Sequence, residues 1–201
     1  MNGRYWTLLL LFPFSALAEV VSCGPTPNHL EYEVTTSQLE FTLQHPFQVL
    51  GGSLGRITGA VSVNPENLRE GVAFKIAAPL KQFESQNAPV TRFIAAGREM
   101  DKDGPGFEYI SLAAHMAPDL KSVGRQFSMR LLGELRFHGK ARPLEVPLDC
   151  TVDSSFWKCQ TFFQFKMSDL GLPPPMLLKI KARDQVSVKG EVTFGPKKGA
   201  S

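Results

Sequence analysis

His45, His115 and His138 are the side chains best placed by type to act as general bases near neutral pH. With Asp101, Asp103 or Asp169 to orient them and Ser37 or Ser168 as nucleophile, they would make a hydrolase. The spacing gives that chemistry no support, since there is neither a Gly-x-Ser-x-Gly elbow nor a His-Glu-x-x-His helix. His45 stands directly before Pro46 at a strand end, and by alternation His138 continues the outer face of its strand, so both belong at the surface or rim. Cys150 and Cys159 offer different chemistry. They lie symmetrically about Ser154-Ser155, so a turn there brings them face to face across a hairpin, within disulfide reach; two free buried thiols are the alternative. The same register sets Leu148 opposite Thr161, Val146 opposite Phe163 and Leu144 opposite Phe165, which keeps apolar residues on one face. No metal site is indicated, because the cysteines form no Cys-x-x-Cys pair and have no histidine near them in sequence.

The elements that would position these groups are strands. In residues 127–137, Phe127, Met129, Leu131, Leu135 and Phe137 fall on one face, and Ser128, Arg130, Glu134 and Arg136 on the other. That period of two marks a strand with one dry and one wet face. Several such strands must pool their dry faces, and a single antiparallel sheet does so without exposed edges by closing into a barrel. A barrel of about eight strands holds either its own side chains or one small ligand.

The chain opens with a secretory leader over residues 1–18: Arg4, an apolar stretch from Trp6 to Phe14 too short to span a bilayer, and small residues at Ala16 and Ala18. The competing feature is a loose lipobox ending at Cys23, which would make that cysteine a lipid anchor; Glu19 interrupts the apolar region it needs. No other segment is a transmembrane candidate, and an oxidising compartment, periplasmic or extracellular, fits the cysteine pair. The net charge of +3, from 22 basic and 19 acidic residues, is spread over strand outer faces, so a nucleic-acid footprint is not indicated. Fifteen phenylalanines against three tyrosines and two tryptophans make the aromatic content oily.

Residues 19–29 form an irregular lead-in, 30–196 one barrel domain and 197–201 a tail. Within the domain, residues 30–34 and 39–44 read as two strands, the second with Leu39, Phe41 and Leu43 inward; Gly51-Gly52 reads as a turn or bulge. Ile57, Val61 and Val63, then Val72, Phe74 and Ile76, give further inner rows, with Gly59 on the inner face where a backbone approaches closely. Asn87 and Pro89 open the one convincing helix, with Val90, Phe93, Ile94 and Met100 loosely on one side. The strand after Gly106 has no assignable facing, because Tyr109 and Ile110 both look buriable. The last strand turns Val186, Val188, Val192 and Phe194 inward, for nine or ten strands in all.

Five motifs in order, Ser37-Gln-Leu-Glu-Phe-Thr-Leu-Gln-His45, Gly55-Arg-Ile-Thr-Gly59, Phe83-Glu-Ser-Gln-Asn87, Leu132-Gly-Glu-Leu-Arg-Phe-His-Gly139 with Arg142-Pro143, and Phe165-Lys-Met-Ser-Asp-Leu-Gly171, resemble the successive signatures of the YceI-like family. The resemblance implies a mainly β protein: one lipocalin-like antiparallel barrel, secreted to the periplasm, with a short helix near its mouth. It implies an interior that holds a long apolar molecule, a polyisoprenoid, an isoprenoid quinone or a fatty-acid amide, and no catalysis and no cofactor beyond that non-covalent ligand.

On that basis the inner rows become a tunnel wall made of Phe41, Leu43, Phe47, Phe74, Ile76, Phe93, Leu131, Leu135, Phe137, Val146, Phe163, Phe165, Met167 and Met176, with His45 and His138 at the rim. Burying on the order of 500 Å² of hydrocarbon there would contribute roughly 12 kcal/mol before entropic costs, at about 25 cal/mol per Å². Without the resemblance, alternation alone leaves a filled core open. A filled barrel would instead be an interaction module, binding another envelope component through the proline-rich loop at residues 170–178, which could equally be a lid or a covered loop. A homodimer through rim loops is a further alternative.

Overall fold

The computed structural model describes residues 29–64, 72–100, 104–115, 126–153 and 155–197, the side chains of 100, 112–115 and 153 excepted. Residues 1–18, expected to be a leader, together with Cys23, Asp101, Asp103 and the His115 side chain, lie outside the described residues. Among the described residues the chain is mainly β, a closed antiparallel barrel of eight strands with a single α-helix.

The elements in order are β1 (Leu30–Gln44), β2 (Val49–Leu54), β3 (Thr58–Val63), β4 (Val72–Ala78), β5 (Phe83–Glu84), α1 (Ala88–Met100), β6 (Phe107–His115), β7 (Gln126–Phe137), β8 (Lys140–Asp153), β9 (Phe156–Lys166), β10 (Met176–Leu177), β11 (Ile180–Lys181) and β12 (Gln185–Pro196). The ring runs β1-β3-β4-β6-β7-β8-β9-β12 and closes where β12 pairs with β1. Every ring neighbour is antiparallel, and the ring closes on itself.

The two strands expected over residues 30–44 are one. The register of β1 against β12 slips between Val34 and Thr36, and the extra residue, Thr35, shifts the inner face from Tyr32 and Val34 to Leu39, Phe41 and Leu43. Gly51 and Gly52 are no turn either. They sit inside β2, opposite Thr42 and Phe41, and a Cβ at Gly52 would lie 2.0 Å from the Glu84 carbonyl oxygen of β5. Gly59 does mark a close approach: its φ is +153°, and a Cβ there would meet the Lys75 carbonyl oxygen at 2.2 Å. His138 leaves its strand's outer face for the tight turn joining β7 to β8, where His138 and Gly139 both adopt left-handed backbone (φ 45° and 74°).

The β8–β9 hairpin forms as its cysteines require, with Cys150 opposite Cys159 and bonded to it. The ladder then stops at Leu148–Thr161, so the expected pairs Val146–Phe163 and Leu144–Phe165 do not form. The Thr161 hydroxyl donates to the Pro147 carbonyl (2.8 Å), so the backbone groups of Pro147 face β9. By alternation those of Pro143 do too, and neither proline has an N–H to offer there. Replacing both cysteines by alanine is expected to cost about 2–3 kcal/mol, because the bond closes a loop of 9 residues' separation in the unfolded chain. Urea unfolding of the Cys150→Ala/Cys159→Ala protein measures it.

The barrel's lower end is shut by aromatic packing. The Trp157 ring packs tilted against Tyr32 (centroids 5.5 Å apart) and edge-on to Phe127 (5.4 Å), near the disulfide. The upper end carries α1, β5 and residues 167–184.

Candidate functional site: an apolar cavity in the barrel

Above the aromatic floor, where Phe74 meets Phe194 edge-on at 5.7 Å, the interior is not filled. A cavity of about 170 Å³ remains. Ile76, Phe83, Phe93, Phe107, Phe163 and Phe165 all border it and are only partly buried, although they point inward; solvent-accessible surface on inward side chains is what an opening produces and a packed core does not.

Of the side chains expected on the wall, Phe41, Leu43, Phe74, Ile76, Phe93, Leu131, Leu135, Val146, Phe163, Phe165 and Met167 are there. Three are not. Phe47, in the loop before β2, and Met176, in the short strand β10 outside the barrel ring, are exposed, since neither belongs to a strand with an inner face. Phe137 is fully buried but off the wall, stacked on Phe107 with ring centroids 4.5 Å apart. Phe83, Phe107 and Tyr109 also border the cavity, as does Leu172 in the proline-rich loop, and none of the four is among the expected wall residues. The Phe107-x-Tyr109 alternation was a usable signal; Leu172 carried none.

The helix supplies Val90, Phe93 and Ile94 to the wall, and its seating is fixed by the chain segment before it. Asn87 occupies the N-cap, its carbonyl accepting from Thr91 N–H (2.9 Å). Its side chain does not cap the helix, however: Oδ1 accepts the Gly51 N–H of β2 (2.8 Å), stitching helix to barrel. Arg98 adds bonds to the Leu80 and Phe83 carbonyls (3.1 and 3.0 Å).

Two wall residues carry hydroxyls, and both are spent on backbone. Tyr109 lies within bonding distance of the Leu131 and Leu144 carbonyls (3.0 and 3.1 Å), and Thr161 donates to Pro147. Any ligand inside therefore meets hydrocarbon and ring faces only. Burial pushes the Tyr109 phenol well above its ordinary value of 10.0. The folded chain then holds this proton more tightly than the unfolded one, so the contribution to stability is complete below about pH 10 and declines as pH rises beyond it. Chemical denaturation between about pH 8 and 11 should show a steeper decline for wild type than for Tyr109→Phe.

His45, Ser37 and Ser168, considered above for hydrolysis, have other partners. His45 is buried rather than at an open rim: Nδ1 accepts the Phe47 N–H (3.3 Å), so Nε2 carries the proton and donates to the Ile180 carbonyl (3.1 Å). Ser37 bridges the Gly55 carbonyl and the Ile57 N–H, and Ser168 donates through both N–H and hydroxyl to Asp184. Among the described residues no three metal-ligating side chains cluster, and no helix is long and apolar enough to cross a membrane.

The proline-rich loop contributes to the cavity wall. Met167–Leu170 forms a 3-10 turn capped by left-handed Gly171, after which Leu172 and Pro175 turn onto the cavity. The β10–β11 hairpin that follows was not expected. It is pinned to the end of β1 by Arg183 N–H to the Gln44 carbonyl (2.7 Å) and by His45.

Fold and cavity together define a small closed antiparallel barrel of lipocalin-like architecture with an apolar interior cavity. No family model and no curated protein matches the sequence. Among solved structures the chain is similar to BcnA of Burkholderia cenocepacia, with a TM-score of 0.61 and 15 % identity over 78 % of this chain and 95 % of that one. It is also similar to a polyisoprenoid-binding domain from Saccharophagus degradans implicated in plant cell wall breakdown, with a TM-score of 0.62 and 11 % identity over 84 % and 99 %. At these identities the likeness shows a shared fold.

Proposed function

We propose that the protein is a YceI-like extracytoplasmic binding protein that sequesters or carries a linear apolar molecule, a polyisoprenoid, an isoprenoid quinone or a fatty-acid amide, and performs no reaction on it. The observation that carries this is the wall itself: an inward-facing void whose only hydroxyls are committed to backbone, so that burial of hydrocarbon is the sole driving force on offer. Support comes from the same barrel in a domain described as polyisoprenoid-binding. The Cys150–Cys159 bond and the leader-like N-terminus favour a compartment outside the cytoplasm.

The cavity's 170 Å³ is of the order that holds a benzene-sized molecule, smaller than the usual range for ligand pockets. A long chain therefore occupies it with one end and runs out past the half-buried Phe83, Phe107 and Phe165, or moves them. Selection is by width and length. Competition of a fluorescent apolar probe by isoprenoid alcohols of increasing length tests this: affinity should rise with each unit and then level off once cavity and mouth are filled. Failure of every length to displace the probe would remove the proposal.

A further inference from the structure

Of the nine large apolar side chains exposed among the described residues, five sit on two adjoining segments at the barrel's upper end, the entry to β2 and the β10–β11 hairpin: Phe47 (61 %), Val49 (55 %), Met176 (59 %), Leu178 (76 %) and Ile180 (41 %). His45 joins the loops, its ring 5.3 Å from that of Phe47 and its Nε2 bonded to the Ile180 carbonyl. The hairpin tip is costly for what it displays. Leu178 and Lys179 both hold left-handed backbone (φ 52° and 64°), where Asn-Gly would be at ease. The same segment lines the cavity a few residues earlier, through Leu172 and Pro175. Exposed cations flank the tip at Lys179, Lys181 and Arg183, and among the described residues none of them is held in an ion pair. Of the two nearby acids, Asp184 is engaged by Ser168, leaving Asp169 exposed.

We infer that this tip is a membrane-docking surface: Leu178, Ile180, Met176 and Phe47 enter the interfacial region of an anionic bilayer while Lys179, Lys181 and Arg183 meet its headgroups. Apolar side chains beside unpaired cations are the combination such a surface selects. A protein partner would not require the cations, and an ordinary solvated hairpin would not require leucine at a left-handed position. The inference rests on the carrier reading in one respect: docking there would set the cavity mouth against the bilayer in which apolar chains are dissolved.

The test is flotation of the purified, unacylated protein with vesicles of equimolar phosphatidylglycerol and phosphatidylcholine, and with phosphatidylcholine alone. Wild type should float with the anionic vesicles and more weakly with the neutral ones. Leu178→Asn with Ile180→Ser should lower partitioning by about tenfold or more, and Lys179→Gln with Lys181→Gln should remove the preference for anionic lipid. Asparagine suits the left-handed turn, and the bond to His45 uses the Ile180 backbone, so the first variant keeps its hairpin. Wild type left unbound, or a Leu178→Asn/Ile180→Ser protein floating equally well, would overturn docking. Probe binding measured without vesicles separates the two ideas, since it should be equal in wild type and variant, and its absence from both would count against the carrier reading alone.

Discussion

Val188→Trp is expected to weaken binding of apolar ligands roughly a hundredfold while leaving the barrel standing. Val188 lies on the inner wall, opposite Phe41 on one side and Phe163 on the other, and borders the cavity. In a close-packed interior an indole in place of an isopropyl group would force off-rotamer neighbours and cost about 1–3 kcal/mol or more. Here there is a void of about 170 Å³ to receive it. Filling it removes the space that a ligand's first ring or branched unit would use, on the order of 120 Å² of apolar burial and so about 3 kcal/mol, or roughly a hundredfold in affinity. Probe titration alongside urea unfolding reads both quantities. Lost binding with stability within about 1.5 kcal/mol of wild type supports an open cavity; severe destabilisation would mean the interior is already full.

Trp157→Ala is expected to be the most damaging single change to stability, at about 4 kcal/mol. The indole is almost wholly buried and packs between Tyr32 and Phe127, shutting the barrel's lower end. Its removal leaves a hole that the neighbouring disulfide-bonded strands are poorly placed to collapse into. Calorimetry or chemical denaturation gives the loss. By contrast, the ion pairs on the outer wall, such as Arg130–Glu145 at 2.8 Å and Lys158–Glu191 at 3.0 Å, join largely exposed groups and should each contribute little.

Where the sequence was legible, the reason was strict alternation. Phe127, Met129, Leu131, Leu135 and Phe137 are buried along β7, as are Val186, Val188, Val192 and Phe194 along β12, because a strand with one wet face leaves no other arrangement. Alternation fails at Thr35, where one unpaired residue reverses the phase without any compositional mark. It also says nothing about height along the barrel: Phe137 and Leu135 share an inner face, yet Leu135 borders the void and Phe137 is stacked outside it. Whether a void exists at all depends on how many side-chain volumes meet at one level, which no single strand records. The loops were the least legible part. Leu172 and Met176 look alike in sequence, and only tertiary hydrogen bonds to β1 and Asp184 decide that one faces the cavity and the other the surface.

The carrier reading is tested most directly by native mass spectrometry of the protein purified from its own envelope, followed by organic extraction and lipid identification. The account predicts a stoichiometric, non-covalent adduct of isoprenoid or acyl mass that is released by solvent and absent from Val188→Trp. A bare mass that stays bare after incubation with isoprenoids and fatty amides would contradict it.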